Sequence, residues 1–266
     1  MTPRLRAIAN DTIAILSDGY YPHSDAGLVA IAEATAAALA ATELVLASDE
    51  LAPAEVAAMP ALIEVADETT LSAARRLGPG TGALVFASAL EPGADFLSGA
   101  EGQEADIARS SALYPCLHSV ANFYDSHERQ GDQRYSDSVI VSPDVPVFRD
   151  DRGGLLAQPY LVTFLTVAAP DLGALVRNQP HRAGSVPYVL RRRAKRILTV
   201  AAARGVQQLV LGAWGCGASQ NNPLEVAEAF AWALSVVDRF ERVVFAIYDR
   251  APGNPSYRAF VKVFGH

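Results

Sequence analysis

The sequence predicts an α/β fold in which helices cover both faces of a central β-sheet. Short apolar runs typical of buried strands alternate with longer segments of helical periodicity, most clearly in the second half of the chain. Such alternation indicates βαβ units, because neighbouring parallel strands need a crossover that a helix usually supplies. We find no linker and no internal repeat in the 266 residues. We therefore expect one domain over residues 1–266, with residues 1–60 as an N-terminal helical extension packed on it.

The first half of the chain begins with a predicted helix and then alternates between the two kinds of element. Apolar residues at helical spacing, Leu5, Ile8, Ile13 and Leu16, predict a helix over residues 2–17 that stops at Gly19. Further predicted helices cover residues 27–41, 69–77 and 103–124, the last broken at Pro115. Apolar runs predict strands over residues 43–47, 61–65 and 82–88.

The second half of the chain contains four predicted strands and three predicted helices. The strands cover residues 138–142, 160–168, 207–212 and 243–248, and the helices cover residues 187–204, 223–239 and 256–264. A cluster of Asp and Gly at residues 150–154 predicts a turn. Five basic side chains lie on the first of these helices, and we interpret them as a solvated face: Arg191, Arg192, Arg193, Lys195 and Arg196.

Composition and charge exclude several classes of protein. The formal net charge of −7 argues against a broad nucleic-acid-binding surface. Neither a signal-length apolar run nor a stretch of about 20 apolar residues occurs, so we expect a cytoplasmic protein without a membrane anchor. The two cysteines are too few for a disulfide framework, and the five histidines lack metal-ligand spacing. We therefore expect neither a metal centre nor a cofactor.

The first informative motif is a buried strand followed by a Gly-containing loop and a helix. It covers residues 84–117, LVFASALEPGADFLSGAEGQEADIARSSALYPCL. Backbone N–H groups and carboxylates would there surround a small concave site that suits a phosphate or a sugar. The segment resembles the signature of bacterial-type poly(ADP-ribose) glycohydrolases, a branch of the macrodomain superfamily. That signature is three glycines, six to eight residues, then Gln-Glu-Glu, and the resemblance implies a three-layer α/β/α fold with a mixed sheet.

The second motif is another strand, Gly-rich loop and helix, over residues 209–223, LVLGAWGCGASQNNP. Its glycines permit positive φ and close backbone approach, and the following helix N-terminus favours an anion. Both loops should emerge at the carboxyl ends of strands, where open α/β sheets bind ligands. The motif resembles the family's diphosphate-binding loop, although the family's aromatic residue near Ser219 is missing. Residues 142–151, SPDVPVFRDD, also resemble the family, and we interpret them as a scaffold hairpin.

The resemblance implies a set of residues that contact ADP-ribose or an ADP-ribosylated protein. The ligand-binding candidates are Ser88, Gly93, Ala94, Phe96, Gln103, Gly212, Gly215, Cys216, Gly217, Ala218, Ser219 and Asn221. Cys216 is not a nucleophile candidate, because no histidine lies near it in sequence to activate it. We expect the protein to act as a monomer.

The catalytic residues depart from the family pattern in two places. The three glycines have become Gly93-Ala94-Asp95, and Gln-Glu-Glu has become Gln103-Glu104-Ala105. In the family the second Glu of that signature donates the proton to the leaving group, and Ala105 cannot. The candidate catalytic carboxylates are therefore Glu104, Asp95 and Asp106.

Two functions compatible with this pattern come from different classes. The first is an ADP-ribosyl hydrolase with a rearranged acidic site that cleaves the ribose C1″ glycosidic bond, plausibly of arginine-linked ADP-ribose. The second is a catalytically impaired relative that binds ADP-ribose without cleaving it. Simpler interpretations give Asp95 a turn-capping role and leave Asp106 as a solvated residue at a helix start. A third interpretation is that Ala105 is an introduced substitution that traps a ligand; because it would not explain Asp95 or Ser219, we favour natural divergence.

Overall fold

The computed structural model of this chain describes residues 2–51 and 60–265; residues 52–59 of the predicted extension lie outside that part. In chain order the elements are α1 (Pro3–Asp18), β1 (Tyr20–His23), β2 (Gly27–Ala30), α2 (Ala32–Ala41), β3 (Glu43–Val45), β4 (Leu62–Ala66), α3 (Thr70–Leu77), β5 (Thr81–Ala87), α4 (Gln103–Ser110), α5 (Leu113–His118), α6 (Asn122–Gln130), β6 (Val139–Arg149), β7 (Leu155–Ala168), α7 (Leu172–Asn178), α8 (Pro180–Ala183), α9 (Val186–Ala203), β8 (Gln208–Leu211), α10 (Pro223–Val236), β9 (Arg242–Ala246) and α11 (Pro255–Phe264). A short 3₁₀ helix over Phe96–Ser98 lies between β5 and α4.

Seven strands form a mixed central sheet in the order β3-β6-β7-β5-β8-β9-β4. The five strands from β7 to β4 run parallel, whereas β6 is antiparallel to both β3 and β7. β5 pairs with β7 on one side and with β8 on the other, so it occupies the middle of the sheet. The carboxyl ends of the parallel strands therefore meet at one edge, with β5 and β8 side by side.

Two apolar cores lie on opposite faces of this sheet, because successive strand residues point to alternate sides. Leu84 of β5 packs into the core shared with α7, α9, α10 and α11. Its neighbours Ala83 and Val85 pack into the core shared with helices α2 to α6. The three-layer α/β/α arrangement predicted from the sequence is thus confirmed.

The N-terminal segment contacts the sheet at several places. β3 pairs with β6 at one end of the sheet, and the hairpin β1–β2 packs through Tyr21 against Phe148. α1 packs through Ala9 against Phe96 and residues of α4. We propose from these contacts that the chain forms one domain.

Three predicted elements differ from the structure. Residues 27–41 begin with strand β2 and only then form a helix. Residues 103–124 contain two full helices and the start of a third, and Pro115 lies inside α5 rather than at a break. β6 continues past the predicted end at Ser142, since a bulge between Ser142 and Val145 takes up Pro143.

The interpretation of the basic face on α9 is wrong for one residue. Arg193 is fully buried, whereas Arg191, Arg192 and Lys195 are exposed. Its guanidinium group is accommodated because a carboxylate and three carbonyl oxygens accept its hydrogen bonds.

Two general findings concern membranes and metals. Across residues 2–51 and 60–265, no helix is long and apolar enough to cross a membrane. Within the same ranges, no group of three or more His, Cys, Asp or Glu side chains is arranged to hold a metal ion.

Candidate active site

The two Gly-containing loops lie next to each other at the carboxyl edge of the sheet. The first loop, residues 88–102, follows β5, and the second loop, residues 212–222, follows β8. Ala83 of β5 is the partner of Val210 of β8, so β8 ends beside the middle of β5, which continues to Ala87, and both loops leave from the same edge of the sheet. Ligands of open α/β sheets bind at this edge. The structure therefore brings the two predicted motifs into one site.

Gln103 fixes the start of α4 to the central strand. Its side-chain oxygen accepts a hydrogen bond from Phe86 N at 2.9 Å, and its amide nitrogen donates to Leu84 O at 2.7 Å. The same nitrogen lies 3.1 Å from Thr70 Oγ1, at the start of α3. With all these bonds made within the protein, Gln103 positions the next residue of the helix.

Glu104 is a buried carboxyl group held by the first loop. Only 2% of the residue is exposed. Ser88 N donates to one carboxyl oxygen at 2.5 Å, and Gly93 N donates to the other at 3.0 Å. Burial raises the pKa of Glu104 to about 8, outweighing the two amide bonds that lower it, and the charge of Glu91 adds to the rise. The carboxyl group therefore changes protonation near neutral pH.

The middle of the first loop has left-handed backbone conformations. Gly93, Ala94 and Asp95 have φ angles of +77°, +48° and +57°. A Cβ on Gly93 would lie 3.0 Å from the Phe96 ring and 3.1 Å from the Tyr114 ring. Those two rings pack edge to face with centroids 4.7 Å apart, and Phe96 is buried. The buried Phe96 ring therefore packs against the loop from the protein interior.

The three candidate carboxylates occupy different environments. The Asp95 carboxylate accepts a hydrogen bond from Ser98 Oγ at 2.6 Å, within its own turn. Asp106 forms an ion pair with Arg109, and 63% of its side chain is exposed. Since residues two apart on a helix point in opposite directions, Asp106 faces away from the side on which Glu104 is buried. Of the three, Glu104 alone bonds to the backbone amides of the first loop among the described contacts.

Ala105 is fully buried in a small apolar cluster beside Glu104. Its methyl group belongs to a cluster with Ala9 of α1, Phe96 of the first loop and Ala108 of α4. The position of the family's second Glu is therefore filled here by apolar packing.

The second loop depends on close backbone approach at two glycines. A Cβ on Gly215, whose φ is +72°, would lie 2.4 Å from Asn221 Nδ2 and 2.5 Å from Ala169 Cβ. A Cβ on Gly212 would lie 2.7 Å from the Phe86 ring and 2.9 Å from Ala246 O. These glycines pack the second loop against the end of β5 and the end of β9.

Asn221 closes the second loop. Its backbone N–H donates to Gly215 O at 3.0 Å, and its side-chain amide donates to Pro170 O at 2.9 Å. Asn221 is buried, and this amide bond holds the loop to the end of β7. A contact between Asn221 and a ligand stays a prediction.

The tip of the second loop is its accessible part. Gly217 and Ala218 are exposed, and Ser219 is half-buried. The backbone oxygen of Ser219 accepts a hydrogen bond from Gly173 N. Burial raises the pKa of the Cys216 thiol to about 12, so the thiol is protonated and unreactive. The exposed backbone of this tip is what the second loop offers to a ligand.

Sequence reasoning missed a buried tyrosine near Glu104. Tyr124 of α6 is 5% exposed, and within the described part of the chain its hydroxyl has no hydrogen-bond partner. Burial raises the pKa of this hydroxyl, and the charge of Glu104 raises it further. From the sequence we interpret Phe123 and Tyr124 as core residues rather than ligand contacts, and both do pack in the core; the sequence did not show that Tyr124 lies close enough to Glu104 to be affected by its charge.

The sequence and the fold of this chain are similar to those of known proteins. Residues 9–150 match the family model described as microbial-type PARG, catalytic domain. The chain is similar to the crystal structure of poly(ADP-ribose) glycohydrolase (PARG) from Thermomonospora curvata, at 44% identity and a TM-score of 0.92, covering 99% of this chain and 100% of that one. The structure of the T. curvata enzyme bound to the inhibitor ADP-HPD matches at 43% identity and a TM-score of 0.89, with the same coverage.

A solved structure of lower sequence identity is also a poly(ADP-ribose) glycohydrolase. The PARG of Deinococcus radiodurans in complex with ADP-ribose matches at 37% identity and a TM-score of 0.80, covering 87% of this chain and 97% of that one. No curated protein matches the chain.

Proposed function

The chain belongs to the microbial-type poly(ADP-ribose) glycohydrolase family of glycosidic-bond hydrolases, and we propose that it hydrolyses the ribose C1″ bond of arginine-linked ADP-ribose. The observation that carries this proposal is the pair Glu104 and Ala105. One carboxyl group is buried and held by two loop amides, while the neighbouring acid position is a methyl group in an apolar cluster. Such a site can support a ribose but lacks the family's proton donor.

The leaving group decides how much that loss matters. A ribose hydroxyl leaves poorly unless an acid protonates it, which is the step that the family's second Glu performs. An N-glycosyl guanidinium already carries the positive charge. When its C1″–N bond breaks, the electron pair goes to nitrogen and a neutral guanidine leaves. An arginine-linked substrate therefore needs no acid at residue 105.

Glu104 supplies the remaining chemistry in this proposal. Its pKa of about 8 gives it both protonation states near neutral pH. The ionised form stabilises the oxocarbenium ion at C1″ and accepts a proton from the attacking water. That proton finally reaches the released guanidine, which becomes guanidinium, so the hydrolysis balances.

Acidic side chains around the first loop favour a cationic leaving group. Glu91 and Glu101 are exposed residues near the two ends of that loop, and Asp106 is exposed at the start of α4. The charge of Glu91 acts on Glu104, and the charges of Asp151 and Glu101 act on Asp106. A guanidinium is attracted to such a field. Asp95 belongs to the same acidic rim, and a direct role for it in catalysis stays a prediction.

The further expectations from the sequence are part of the same proposal. We expect the partner to be an ADP-ribosylated protein and the enzyme to act as a monomer in the cytoplasm. The net charge of −7 and two free cysteines, Cys116 and Cys216, support a reducing compartment and a non-nucleic-acid substrate.

The alternative function is an ADP-ribose-binding module without hydrolytic activity. The burial of Ala105 at the acid position favours it. Under this alternative Glu104 serves only to hold the first loop.

The decisive experiment measures ADP-ribose release from arginine-linked, serine-linked and polymeric substrates, beside calorimetric titration with free ADP-ribose. We expect release from the arginine-linked substrate, reduced about 10²–10⁴-fold in the Glu104→Gln variant. Glu33→Gln, at an exposed position of α2 outside the two loops, is the matched control and should keep its activity. Binding without release from any substrate would establish the binding module, and neither binding nor release would reject both functions.

A further inference from the structure

A buried histidine contacts the first loop from outside the candidate site. His127 of α6 is 1% exposed, and its Nδ1 lies 3.1 Å from the carbonyl oxygen of Ala89. Ala89 directly follows Ser88, whose N–H group holds the Glu104 carboxyl. A change at His127 is therefore passed to the Glu104 contact through one peptide unit.

The hydrogen bonds of His127 determine its tautomer. Ser136 N donates to Nε2 at 3.1 Å, so Nε2 is an acceptor and the ring hydrogen is on Nδ1. Ser136 Oγ lies 2.7 Å from the same Nε2 and accepts from Ser138 N, which leaves its own hydrogen free to donate to the ring. Burial lowers the pKa of His127, which favours the neutral ring, and the charge of Arg193 acts in the same direction. His127 thus donates to the first loop and accepts from the connecting segment, residues 131–138.

Arg193 attaches the connecting segment to the end of β7. Its Nε donates to Asp137 Oδ1 at 2.8 Å, and its Nη2 donates to Arg134 O at 2.8 Å and to Tyr135 O at 3.2 Å. Its Nη1 donates to Ala168 O, the last residue of β7, at 2.7 Å. The Arg193 side chain is fully buried, and its bond to Ala168 O is buried at both ends.

The end of β7 is in turn attached to the second loop. Trp214 Nε1 donates to Val167 O at 2.9 Å, and Asn221 Nδ2 donates to Pro170 O at 2.9 Å. Trp214 is also buried. A continuous chain of buried and partly buried hydrogen bonds therefore runs from the first loop, through His127, the connecting segment, Arg193 and the end of β7, to the second loop.

We infer that His127 and Arg193 are positioning residues that hold the two loops at a fixed separation, so that a ligand spanning both loops is bound by a preformed site. The inference rests on the proposed function for the identity of that ligand, since ADP-ribose would place its diphosphate on the second loop and its terminal ribose on the first. ADP lacks that ribose and would contact only the second loop. We call the chain of hydrogen bonds from His127 through Arg193 to the second loop the brace. The brace therefore affects the affinity for ADP-ribose and leaves the affinity for ADP unchanged.

Two variants of His127 separate its two contacts. The side chain of His127→Asn can still donate to Ala89 O but is too short to reach Ser136. The longer side chain of His127→Gln reaches Ser136. Each variant breaks the bridge on one side, so we expect each to weaken ADP-ribose binding about tenfold, the effect of about one buried hydrogen bond. His181→Asn, in an exposed histidine of α8, is the matched control.

Arg193→Lys tests the other end of the brace, because lysine keeps the charge but loses the planar fork. We expect it to weaken ADP-ribose binding to a similar extent. Combined with His127→Asn it should cost less than the sum of the two single variants, since both act on one chain of contacts. Circular dichroism verifies that each variant is folded. Equal losses for ADP and ADP-ribose, full additivity, or unchanged ADP-ribose affinity would overturn the inference.

Amide hydrogen exchange tests the brace without any ligand, and so independently of the proposed function. The N–H groups of Ser88 and Gly93 are bonded to Glu104 and report on the first loop directly. Arg193→Lys should speed their exchange even though Arg193 contacts neither residue among the described bonds. If the wild-type protein bound no ADP-ribose, the proposed function would fail while this measurement still decided the brace. Unchanged exchange rates at Ser88 and Gly93 in both His127→Asn and Arg193→Lys would refute the inference.

Discussion

At the scale of single residues, the buried carboxyl of Glu104 makes the stability of the protein depend on pH. Its folded-state pKa of about 8 lies above the usual 4.5, so the folded protein holds this proton more tightly than the unfolded chain. The contribution is favourable below pH 4.5 and is lost as the pH rises through 8. We expect the free energy of unfolding to fall by up to about 1.4 kcal/mol per pH unit in that window from this group.

Urea unfolding of the wild type and of Glu104→Gln at several pH values between 5 and 9 measures this effect. The carboxamide cannot titrate, so the difference between the two proteins should shift in favour of the variant as the pH rises. A difference that does not change with pH would show that Glu104 titrates normally in the folded state.

The left-handed conformation of Ala94 makes a second residue-scale prediction. Its φ of +48° is costly for a residue with a Cβ and readily adopted by glycine. We expect Ala94→Gly to raise the free energy of unfolding by about 1 kcal/mol. Ala37→Gly, at an exposed position of α2, should instead lower it by about 1 kcal/mol, because glycine is a poor helix former. Equal signs in the two denaturation experiments would argue against strain at Ala94.

The sequence predicted some residues of the site and not others for identifiable reasons. Gln103 and Glu104 could be located because the segment resembles the family signature, in which Gln-Glu-Glu follows a glycine-rich loop. The burial of Arg193 was missed, although it continues the stripe of Val186, Val189, Leu190 and Ile197 at helical spacing. An arginine in such a stripe is usually a solvated residue at its margin, and only tertiary contacts show that backbone carbonyls surround this one.

At the scale of elements, the second loop requires glycine at residue 215 more than at residue 217. A Cβ at Gly215 meets Asn221 and Ala169 at 2.4 and 2.5 Å with a φ of +72°, whereas a Cβ at Gly217 meets nothing within 4 Å. We expect Gly215→Ala to lower the free energy of unfolding by at least about 2 kcal/mol, from overpacking and backbone strain combined. Gly217→Ala is the control and should change it by less than about 0.5 kcal/mol. Thermal and urea denaturation measure both, and similar losses would show that the crowding at Gly215 is relieved without cost.

Element boundaries were harder to predict than element types. The break between α4 and α5 falls where Ser111 forms a β-bridge with Val147, a contact 36 residues away that local sequence does not reveal. Pro115 is tolerated as the third residue of α5, because the N–H groups of the first turn need no partner inside the helix. The predicted strand ended just before Pro143, whereas β6 continues past this residue because a bulge accommodates it.

At the scale of the whole molecule, α1 connects the site to the β6–β7 hairpin through one buried hydroxyl. Thr12 Oγ1 donates to Arg109 O at 2.6 Å and accepts from Arg149 Nε at 3.1 Å. We expect Thr12→Val to lower the free energy of unfolding by about 1–3 kcal/mol, since it leaves a buried guanidinium N–H without its partner. Thr199→Val, which removes an exposed bond within α9, is the matched control. Equal small losses in urea denaturation would mean that another group takes over the bond to Arg149.

The same contact of α1 has a consequence for how the chain folds during synthesis. Thr12 and Arg149 are 137 residues apart in sequence, so α1 leaves the ribosome long before its partner has been made. Contacts of such separation form late and slow the folding of a domain. Until residues 96–108 have been made, the side of α1 around Ala9 lacks its packing partners Phe96, Ala105 and Ala108. The nascent chain therefore carries the Ala9 side of α1 unpacked until α4 has emerged, and the bond from Arg149 to Thr12 completes the contacts of α1 only after β6 has been made.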